Sequence, residues 1–283
     1  MAQHGRRRAL GQHFLRDTKV CETISETAIT LAHESGCSRL LEIGPGKGAI
    51  TRVILHKLEK DARGIKEFVL VERDAHLAEI WSADAGEEQG YPYRVELADF
   101  VEITEERWLH GEGPLAVVSN LPYSAGTAIL VKLARRRKEI PVMTLMFQAE
   151  VAARLRAVPS TKDWGSLSVW IQNRWDVTKL IAVPPGAFIP PPDVQSEVVV
   201  LKRRAEPWVP MDDADPRQEE LWESLLRTAF AHRRKMLRSG LPPSGHWRNA
   251  LVASGLDGTK RAEALTWQEW RTFFEALRTL QKI

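Results

Sequence analysis

Residues 40–48, LLEIGPGKG, decide the fold of this chain. A strand is predicted over 38–43, the glycines predict a turn, and the pattern after them predicts a helix over 49–60. Glycines at such a turn let the backbone approach a ligand closely and let its N–H groups face that ligand. The stretch therefore predicts a nucleotide-binding strand–turn–helix unit.

The same alternation continues on both sides of this unit. Strands are predicted at 67–73, 93–98, 114–119, 142–147, 176–183 and 196–203, and helices at 18–35, 74–83, 125–138, 148–157 and 166–174. Alternating strands and helices favour a mostly parallel α/β sheet. The strand at 196–203 follows a tight, proline-rich connection, and a parallel pair needs a longer crossover. We therefore expect this last strand to be antiparallel to its predecessor.

The character of the chain changes at residue 205. Residues 205–216 are acidic and proline-rich, which is typical of a linker. The pattern beyond them is helical at 217–239, 245–254, 259–264 and 267–281, and no further strand is predicted. The sequence thus predicts an α/β domain over 1–204, a linker over 205–216 and a small all-helical domain over 217–283.

The composition is that of an ordinary globular protein, with 43% hydrophobic and 27% charged residues among 283. No apolar run approaches the roughly 18 residues of a membrane helix, and the N-terminus shows no secretory signal. Cys21 and Cys37 lack the spacing of metal ligands. We therefore expect a cytoplasmic protein with reduced thiols, no membrane association and no metal site.

Positive charge is concentrated locally, although the net charge is only +3. Three clusters stand at 6–8, at 132–138 and at 227–238, and none of them contains an acidic residue. Each could be a solvated surface, but three together favour a nucleic-acid partner, because such patches hold phosphate backbones.

Two carboxylates end the next predicted strands. Glu72 stands 24 residues beyond Gly48, close to the spacing at which an acidic residue binds ribose hydroxyls in nucleotide-binding folds. Asp99 ends the third strand, where it can accept a hydrogen bond from the amino group of an adenine. The pattern Gly44-x-Gly46-x-x-Ala49 also fits a dinucleotide site, so a dehydrogenase remains open at this point.

Asn120-Leu121-Pro122-Tyr123 follows the apolar run that predicts the fourth strand. An amide and neighbouring carbonyls can accept hydrogen bonds from an exocyclic amine, and Tyr123 can stack on a ring. A hydride-transfer enzyme has no special need for such an amine clamp. The two motifs together therefore favour a methyl-donor nucleotide beside an amine that receives the methyl group.

These segments resemble the ribosomal RNA adenine dimethyltransferases, which modify two adjacent adenosines near the end of small-subunit rRNA. The resemblance runs from about Arg8 to Leu241 and more weakly to the C-terminus. The matching segments are LGQHFL at 10–15, EIGPGKG at 42–48, VERD at 71–74, NLPY at 120–123, QAEVAARL at 148–155, KDWGSLSV at 162–169, FIPPPDVQS at 188–196 and AFAHRRK at 229–235.

The resemblance implies a Rossmann-like class I methyltransferase sheet, S-adenosylmethionine as donor, and dimethylation of adenine N6 during maturation of the small ribosomal subunit. It implies a monomer whose helical domain binds rRNA. By position, the implied donor site comprises His13, Leu15, Gly44, Gly46, Glu72, Asp99 and Asn120. The implied target site comprises Asn120, Leu121, Pro122, Tyr123 and Phe188, with Tyr123 and Phe188 stacking on the base. The implied RNA phosphate contacts are Arg233, Arg234 and Lys235.

Several positions depart from the family's pattern. His13 stands where Asn is more usual, and further departures are at Asp193, Gln195 and Ser239. Two other functions remain open at this point: a large-subunit rRNA methyltransferase of the macrolide-resistance type, and a non-catalytic assembly factor that has kept the fold. The blocks at 188–196 and 230–235 favour the small-subunit enzyme, and the intact donor site and clamp favour catalysis.

Overall fold

The computed structural model describes residues 13–84, 90–243 and 246–283. The basic cluster at 6–8 and the first half of the segment at 10–15 lie outside the described residues. The chain divides into two compact units. One unit contains the chain up to Ala152 together with Val177–Arg203, and the other contains Ala153–Asp176 together with Arg204–Ile283.

The secondary structure follows the predicted alternation. The described strands are β1 (Phe14–Leu15), β2 (Arg39–Ile43), β3 (Glu67–Glu72), β4 (Tyr93–Leu97), β5 (Leu115–Asn120), β6 (Val142–Gln148), β7 (Trp175–Val183), β8 (Phe188–Ile189) and β9 (Ser196–Arg203). The described α-helices are α1 (Thr18–Glu34), α2 (Thr51–Lys60), α3 (Ala75–Asp84), α4 (Glu105–Trp108), α5 (Gly126–Ala134), α6 (Ala149–Arg156), α7 (Ser166–Gln172), α8 (Pro216–Phe230), α9 (Leu237–Gly240), α10 (His246–Ala253) and α11 (Trp267–Gln281).

A seven-stranded sheet of order β4-β3-β2-β5-β6-β9-β7 forms the centre of the first unit. The pairs from β4 to β6 are parallel, and β9 runs antiparallel to β6. The predicted mostly parallel sheet with a late antiparallel strand is thus confirmed. The antiparallel partner that the register defines is β6, and β7 is the other neighbour of β9.

The strand order places a crevice beside β2. From β2 the chain moves outward to β3 and β4, and then it returns to β5 on the other side of β2. Ligands of open α/β sheets bind at the carboxyl ends of the strands where the order reverses in this way. All five residues of β2 are buried, as expected for a parallel strand covered on both faces. Helix α1 covers the sheet, and the Asp17 side chain caps its N-terminus by accepting the N–H groups of Lys19 and Val20.

The second unit is helical and differs in extent from the predicted domain. Residues 153–176, assigned to the first domain from the sequence, belong to it. Residues 205–216, predicted as a linker, are packed into it: Val209 is fully buried, and the Asn173 side chain donates to its carbonyl (3.2 Å) and accepts its N–H (2.7 Å). A hydrophobic residue in an acidic stretch therefore anchors this segment.

The prediction of one helix over 217–239 is wrong. Helix α8 ends at Phe230, and a turn separates it from α9. The N–H groups of Leu237 and Arg238 donate instead to the carbonyls of Lys260 and Gly258, at 2.8 and 2.9 Å. These bonds replace those of a continuous helix and bring Leu237 into the core, where it is 2% exposed. Helical periodicity alone does not reveal this competition.

The described residues contain neither a membrane-spanning helix nor a cluster of metal ligands. None of their helices combines the length and the apolar character that a bilayer span requires. Among the same residues, no group of three or more His, Cys, Asp or Glu side chains is placed to hold a metal ion.

Candidate active site

A pocket opens at the carboxyl ends of β2, β3, β4 and β5 in the first unit. Its empty space, counted together with the open mouth, is about 1080 Å³. The structure brings together here every residue that the sequence assigned to the donor site and all four clamp residues: His13, Leu15, Gly44, Gly46, Glu72, Asp99, Asn120, Leu121, Pro122 and Tyr123.

The glycine turn after β2 has a backbone that side chains would strain. Gly44, Gly46 and Gly48 have φ values of +68°, +56° and +84°, in the left-handed region that favours glycine. A Cβ at Gly48 would lie 2.5 Å from the Trp81 ring, so that ring packs directly on the turn. The turn therefore depends on glycine for both its conformation and its packing.

Two side chains hold the Gly46 residue from opposite sides. Its N–H donates to Glu72 Oε2 at 3.0 Å, and its carbonyl accepts the indole N–H of Trp81 at 3.0 Å. Trp81 lies on α3 and is 2% exposed. A loop whose peptide groups are held in this way needs little reorganisation when a ligand binds.

Glu72 ends β3 and is 4% exposed. Burial raises the pKa of its carboxyl, although the N–H groups of Asp74, Gly46 and Arg73 donate to it and favour the charged form. Three backbone donors therefore fix the orientation of this carboxylate at the pocket wall. Ribose hydroxyls are the partners that such an acceptor suits.

Asp99 lies on the loop that follows β4. Its Oδ2 accepts Arg73 Nη1 at 3.1 Å, and its Oδ1 accepts the Val101 N–H at 2.9 Å. The carboxylate is thus held by its own loop and by the residue after Glu72. Phe100, the next residue, also lines the pocket and offers an apolar surface beside this acceptor.

Glu42 is a further carboxyl at the pocket that the sequence analysis did not assign. It lies on β2, it is 2% exposed, and its Oε2 has no hydrogen-bond partner among the described residues. Burial raises its pKa to about 8, and the nearby charge of Glu72 adds to the rise. Glu42 is therefore predominantly protonated at neutral pH.

Asn120 stands at the last position of β5. Its Nδ2 donates to the carbonyl of His13, the residue before β1, over 3.4 Å. No hydrogen bond to its Oδ1 is formed among the described residues, so this oxygen is available as an acceptor. The Pro122 carbonyl already accepts the Ala125 N–H at 3.0 Å, and it begins the turn into α5.

Tyr123 is held at both ends of its ring. Its hydroxyl hydrogen-bonds the Ser196 hydroxyl at 2.5 Å, and its ring centroid lies 5.6 Å from that of His13 with a tilt of 30°. Burial raises the pKa of Tyr123, and the bond to Ser196 opposes the rise. His13 Nδ1 is 2.8 Å from the Pro190 carbonyl, which connects this pair to the proline-rich segment.

Phe188 does not line the pocket, although the sequence predicted it as a stacking residue. It is 1% exposed and belongs to the hydrophobic core of the first unit. The antiparallel pair β1–β8 sets Phe188 opposite Leu15, and both side chains are buried, while the next residue, Ile189, is 53% exposed. Because successive side chains of a strand point to opposite faces, burial of Phe188 directs Ile189 outward.

The three predicted RNA contacts lie in the second unit and differ in whether their side chains are already paired. Arg233 donates to the Glu263 carboxylate and to the Thr161 carbonyl, each at 2.8 Å. Arg234 and Lys235 are exposed on the turn after α8, and their side chains form no hydrogen bond or ion pair within the described parts of the chain. Arg233 is therefore already paired within the second unit, whereas the other two cations are available to a partner.

Comparison with known proteins identifies the family. The profile of the ribosomal RNA adenine dimethylase family matches residues 3–279. The chain belongs to this family. The predicted family and enzyme class, an S-adenosylmethionine-dependent rRNA adenine dimethyltransferase, are thereby confirmed.

Individual relatives agree with this assignment. A ribosomal RNA small subunit methyltransferase A of Paramagnetospirillum magneticum is 39% identical over 267 residues, which cover 94% of this chain and 88% of the relative. The protein of the same name from Chlorobium phaeobacteroides is 37% identical, with 97% and 94% covered.

Two solved structures resemble the fold. A dimethyladenosine transferase from Plasmodium falciparum is 20% identical and superposes with a TM-score of 0.72, over 92% of this chain and 96% of that one. The 23S rRNA methyltransferase ErmE is 26% identical with a TM-score of 0.62, over 93% and 99%. Both similarities confirm the predicted class I methyltransferase fold.

Proposed function

We propose that this enzyme transfers methyl groups from S-adenosylmethionine to N6 of two adjacent adenosines near the 3′ end of small-subunit rRNA. The observation that carries the proposal is the placement of Asn120-Leu121-Pro122-Tyr123 beside the glycine turn, in one pocket. Relatives that are 36 to 39% identical and named for small-subunit methylation support the choice of rRNA.

The donor side of the pocket fits a nucleoside with a charged tail. In this proposal the carboxylate of Glu72 holds the ribose hydroxyls, Asp99 accepts from the adenine amino group, and His13 and Leu15 cover the site. S-adenosylmethionine supplies an activated methyl group on a sulfonium, so the protein mainly has to align the reacting atoms. We propose that the reaction uses no metal ion.

On the acceptor side, Asn120 Oδ1 and the Leu121 carbonyl receive the N6–H groups of the target adenine. Adenine N6 is a poor nucleophile because its lone pair is delocalised into the ring. Hydrogen bonds to these oxygens favour a more tetrahedral nitrogen and stabilise the positive charge that develops on it. After the first methylation N6 has one N–H fewer, so the second transfer needs space beside N6, and Asn120 alone should not hold the nitrogen rigidly.

The target base has to leave its stack to reach the clamp. In this proposal Tyr123 provides a stacking surface, whose orientation Ser196 and His13 hold. Stacking of a base on an aromatic ring contributes about 1–3 kcal/mol. Because Phe188 is buried in the core, we assign it to the support of the β1–β8 pair instead of to the base.

We further propose that Arg234 and Lys235 contact rRNA phosphates, and that the enzyme acts as a cytoplasmic monomer on an immature small subunit. Methylation of large-subunit rRNA is the second candidate, because ErmE is 26% identical and shares the fold. A non-catalytic assembly factor is the third, and the intact glycine turn and clamp argue against it.

Small and large subunits that lack the modification distinguish these functions. Each is incubated with the enzyme and S-adenosylmethionine, and the digested RNA is analysed by mass spectrometry for N6,N6-dimethyladenosine. We expect the product in small subunits alone. Product confined to large subunits would replace the proposal by the second candidate, and donor binding without product in either would favour the third.

Asn120→Ala tests the clamp. We expect kcat to fall by 100-fold or more, on the scale of about 10² to 10³ for the loss of one transition-state hydrogen bond, with a modest change in donor affinity. Asn249→Ala removes an exposed amide in the second unit and is the matched control. Turnover near that of the wild type in the Asn120 variant would refute the clamp role.

A further inference from the structure

Lys132 makes an unusual set of contacts near the donor pocket. It lies on α5, and its Nζ donates to the carbonyls of Phe100 (3.0 Å), Val101 (3.1 Å) and Ile103. The same Nζ lies 5.5 Å from the centroid of the Phe100 ring. A lysine ammonium has three N–H donors, so the loop after β4 occupies all of them.

This loop needs an external partner for its carbonyls. Within it, the Asp99 carbonyl accepts the N–H groups of Glu102 and Ile103, and Asp99 Oδ1 accepts the Val101 N–H. These bonds fold the loop around Asp99, but they do not involve the carbonyls of Phe100, Val101 and Ile103. Hydrogen bonds from a charged donor are about twice as strong as neutral ones. One ammonium at the focus of three carbonyls therefore fixes the curled conformation.

The position of Lys132 also links the two halves of the site. Helix α5 begins three residues after Tyr123, and Ile129, nearly one helical turn before Lys132, lines the pocket. Asp99 and Phe100 line the same pocket from the loop. Lys132 thus connects the helix that follows the amine clamp with the loop that carries the proposed adenine acceptor.

We propose that Lys132 is a positioning residue that sets the loop 99–103 so that Asp99 reads the 6-amino group of the donor's adenine. The inference rests on the proposed role of Asp99. Without the ammonium, three carbonyls lose their common donor, and the loop relaxes toward water. Asp99 then no longer stands at a defined distance from the purine, and the enzyme distinguishes adenine poorly from a purine with a 6-oxo group.

The experiment measures this discrimination by calorimetry with two ligands. S-adenosylhomocysteine carries the 6-amino group, and S-inosylhomocysteine carries an oxygen in its place. We expect Lys132→Met to bind S-adenosylhomocysteine about tenfold more weakly and to lose most of the preference for it over the inosine ligand. Lys132→Gln, which keeps two N–H donors, should fall between this variant and the wild type. Lys66→Met, at an exposed lysine of the same unit, should match the wild type.

A purely structural role predicts a different pattern. Partial unfolding lowers both affinities by the same factor and leaves their ratio unchanged, so an unchanged ratio in the folded Lys132→Met and Lys132→Gln variants overturns the inference. Asp99→Ala distinguishes the proposed adenine contact of Asp99 from the positioning role of Lys132. If Asp99→Ala keeps the preference, the proposed adenine role of Asp99 fails; if it abolishes the preference and both Lys132 variants retain it, only the role of Lys132 fails.

Discussion

Replacement of Glu42 by glutamine should change how the stability of this enzyme depends on pH. The carboxyl is 2% exposed, and its Oε2 has no partner among the described residues. Burial raises its pKa from 4.5 to about 8. Between these two values the folded protein carries a proton that the unfolded chain has released. The free energy of unfolding therefore falls as pH rises through this window.

The magnitude follows from the two pKa values. Each pH unit within the window costs about 1.4 kcal/mol of stability. Between about pH 5.5 and pH 7.5 the ionisation of Glu42 thus removes roughly 2.5 kcal/mol from the wild type and nothing from Glu42→Gln. The glutamine amide also lacks a buried partner and costs about 1–3 kcal/mol, but this cost is the same at both pH values. The pH dependence, and not the absolute stability, is therefore the quantity to compare.

The assay is urea unfolding at the two pH values, followed by far-UV circular dichroism, for the wild type and the variant. The matched control is Glu79→Gln, at an exposed carboxyl on α3. We expect Glu42→Gln to gain roughly 2.5 kcal/mol relative to the wild type as the pH is raised, and the control to stay parallel to the wild type. Parallel curves for Glu42→Gln would refute the reasoning, because they would mean that Glu42 is ionised in the folded enzyme.

Three further predictions concern the site and the RNA contacts. Trp81→Phe removes the donor to the Gly46 carbonyl and should weaken binding of S-adenosylhomocysteine, measured by calorimetry, about tenfold, a loss of about 1.4 kcal/mol. The control is Trp222→Phe, which changes a buried indole whose N–H has no partner in the described structure. Ser196→Ala releases the Tyr123 hydroxyl and should lower kcat several-fold at unchanged donor affinity, and adding it to Tyr123→Phe should cause no further loss if the two act through one bond. Neutralising Arg234 and Lys235 should reduce the slope of log affinity against log salt by about 1.5 in RNA binding, and an unchanged slope would remove both from the interface.

The middle strands of the sheet, β2, β3, β5 and β6, could be predicted closely from the sequence because nearly all of their residues are buried. The run at 68–71 is wholly apolar, and charged residues bound it on both sides. The residues proposed for the donor site could be predicted equally well, because the carboxyl ends of neighbouring parallel strands meet at one edge of the sheet. Once Gly44, Glu72, Asp99 and Asn120 are placed at strand ends, the topology brings them together without knowledge of any side-chain contact.

The remaining features depend on partners that are distant in the sequence. Trp81 supports the glycine turn from α3, and Lys132 holds the loop after β4 from α5, but neither residue is marked by its neighbours in the chain. The break after Phe230 arises in the same way, because the competing carbonyls belong to residues 258–260. Local patterns report which face of an element is apolar, and they do not report which distant donor or acceptor completes it.

Phe188 shows how this limit affects the assignment of function. The family resemblance implied that Phe188 stacks on the target base, yet Phe188 pairs with Leu15 in the two-residue pair of β1 with β8 and lies in the core. Leu15, opposite Phe188, is buried with it, and His13, two positions before Leu15, lines the pocket. Phe188 therefore supports the segment that we propose to cover the donor site. Its truncation should loosen this cover and weaken donor binding, whereas a stacking role would lower kcat with the RNA substrate instead.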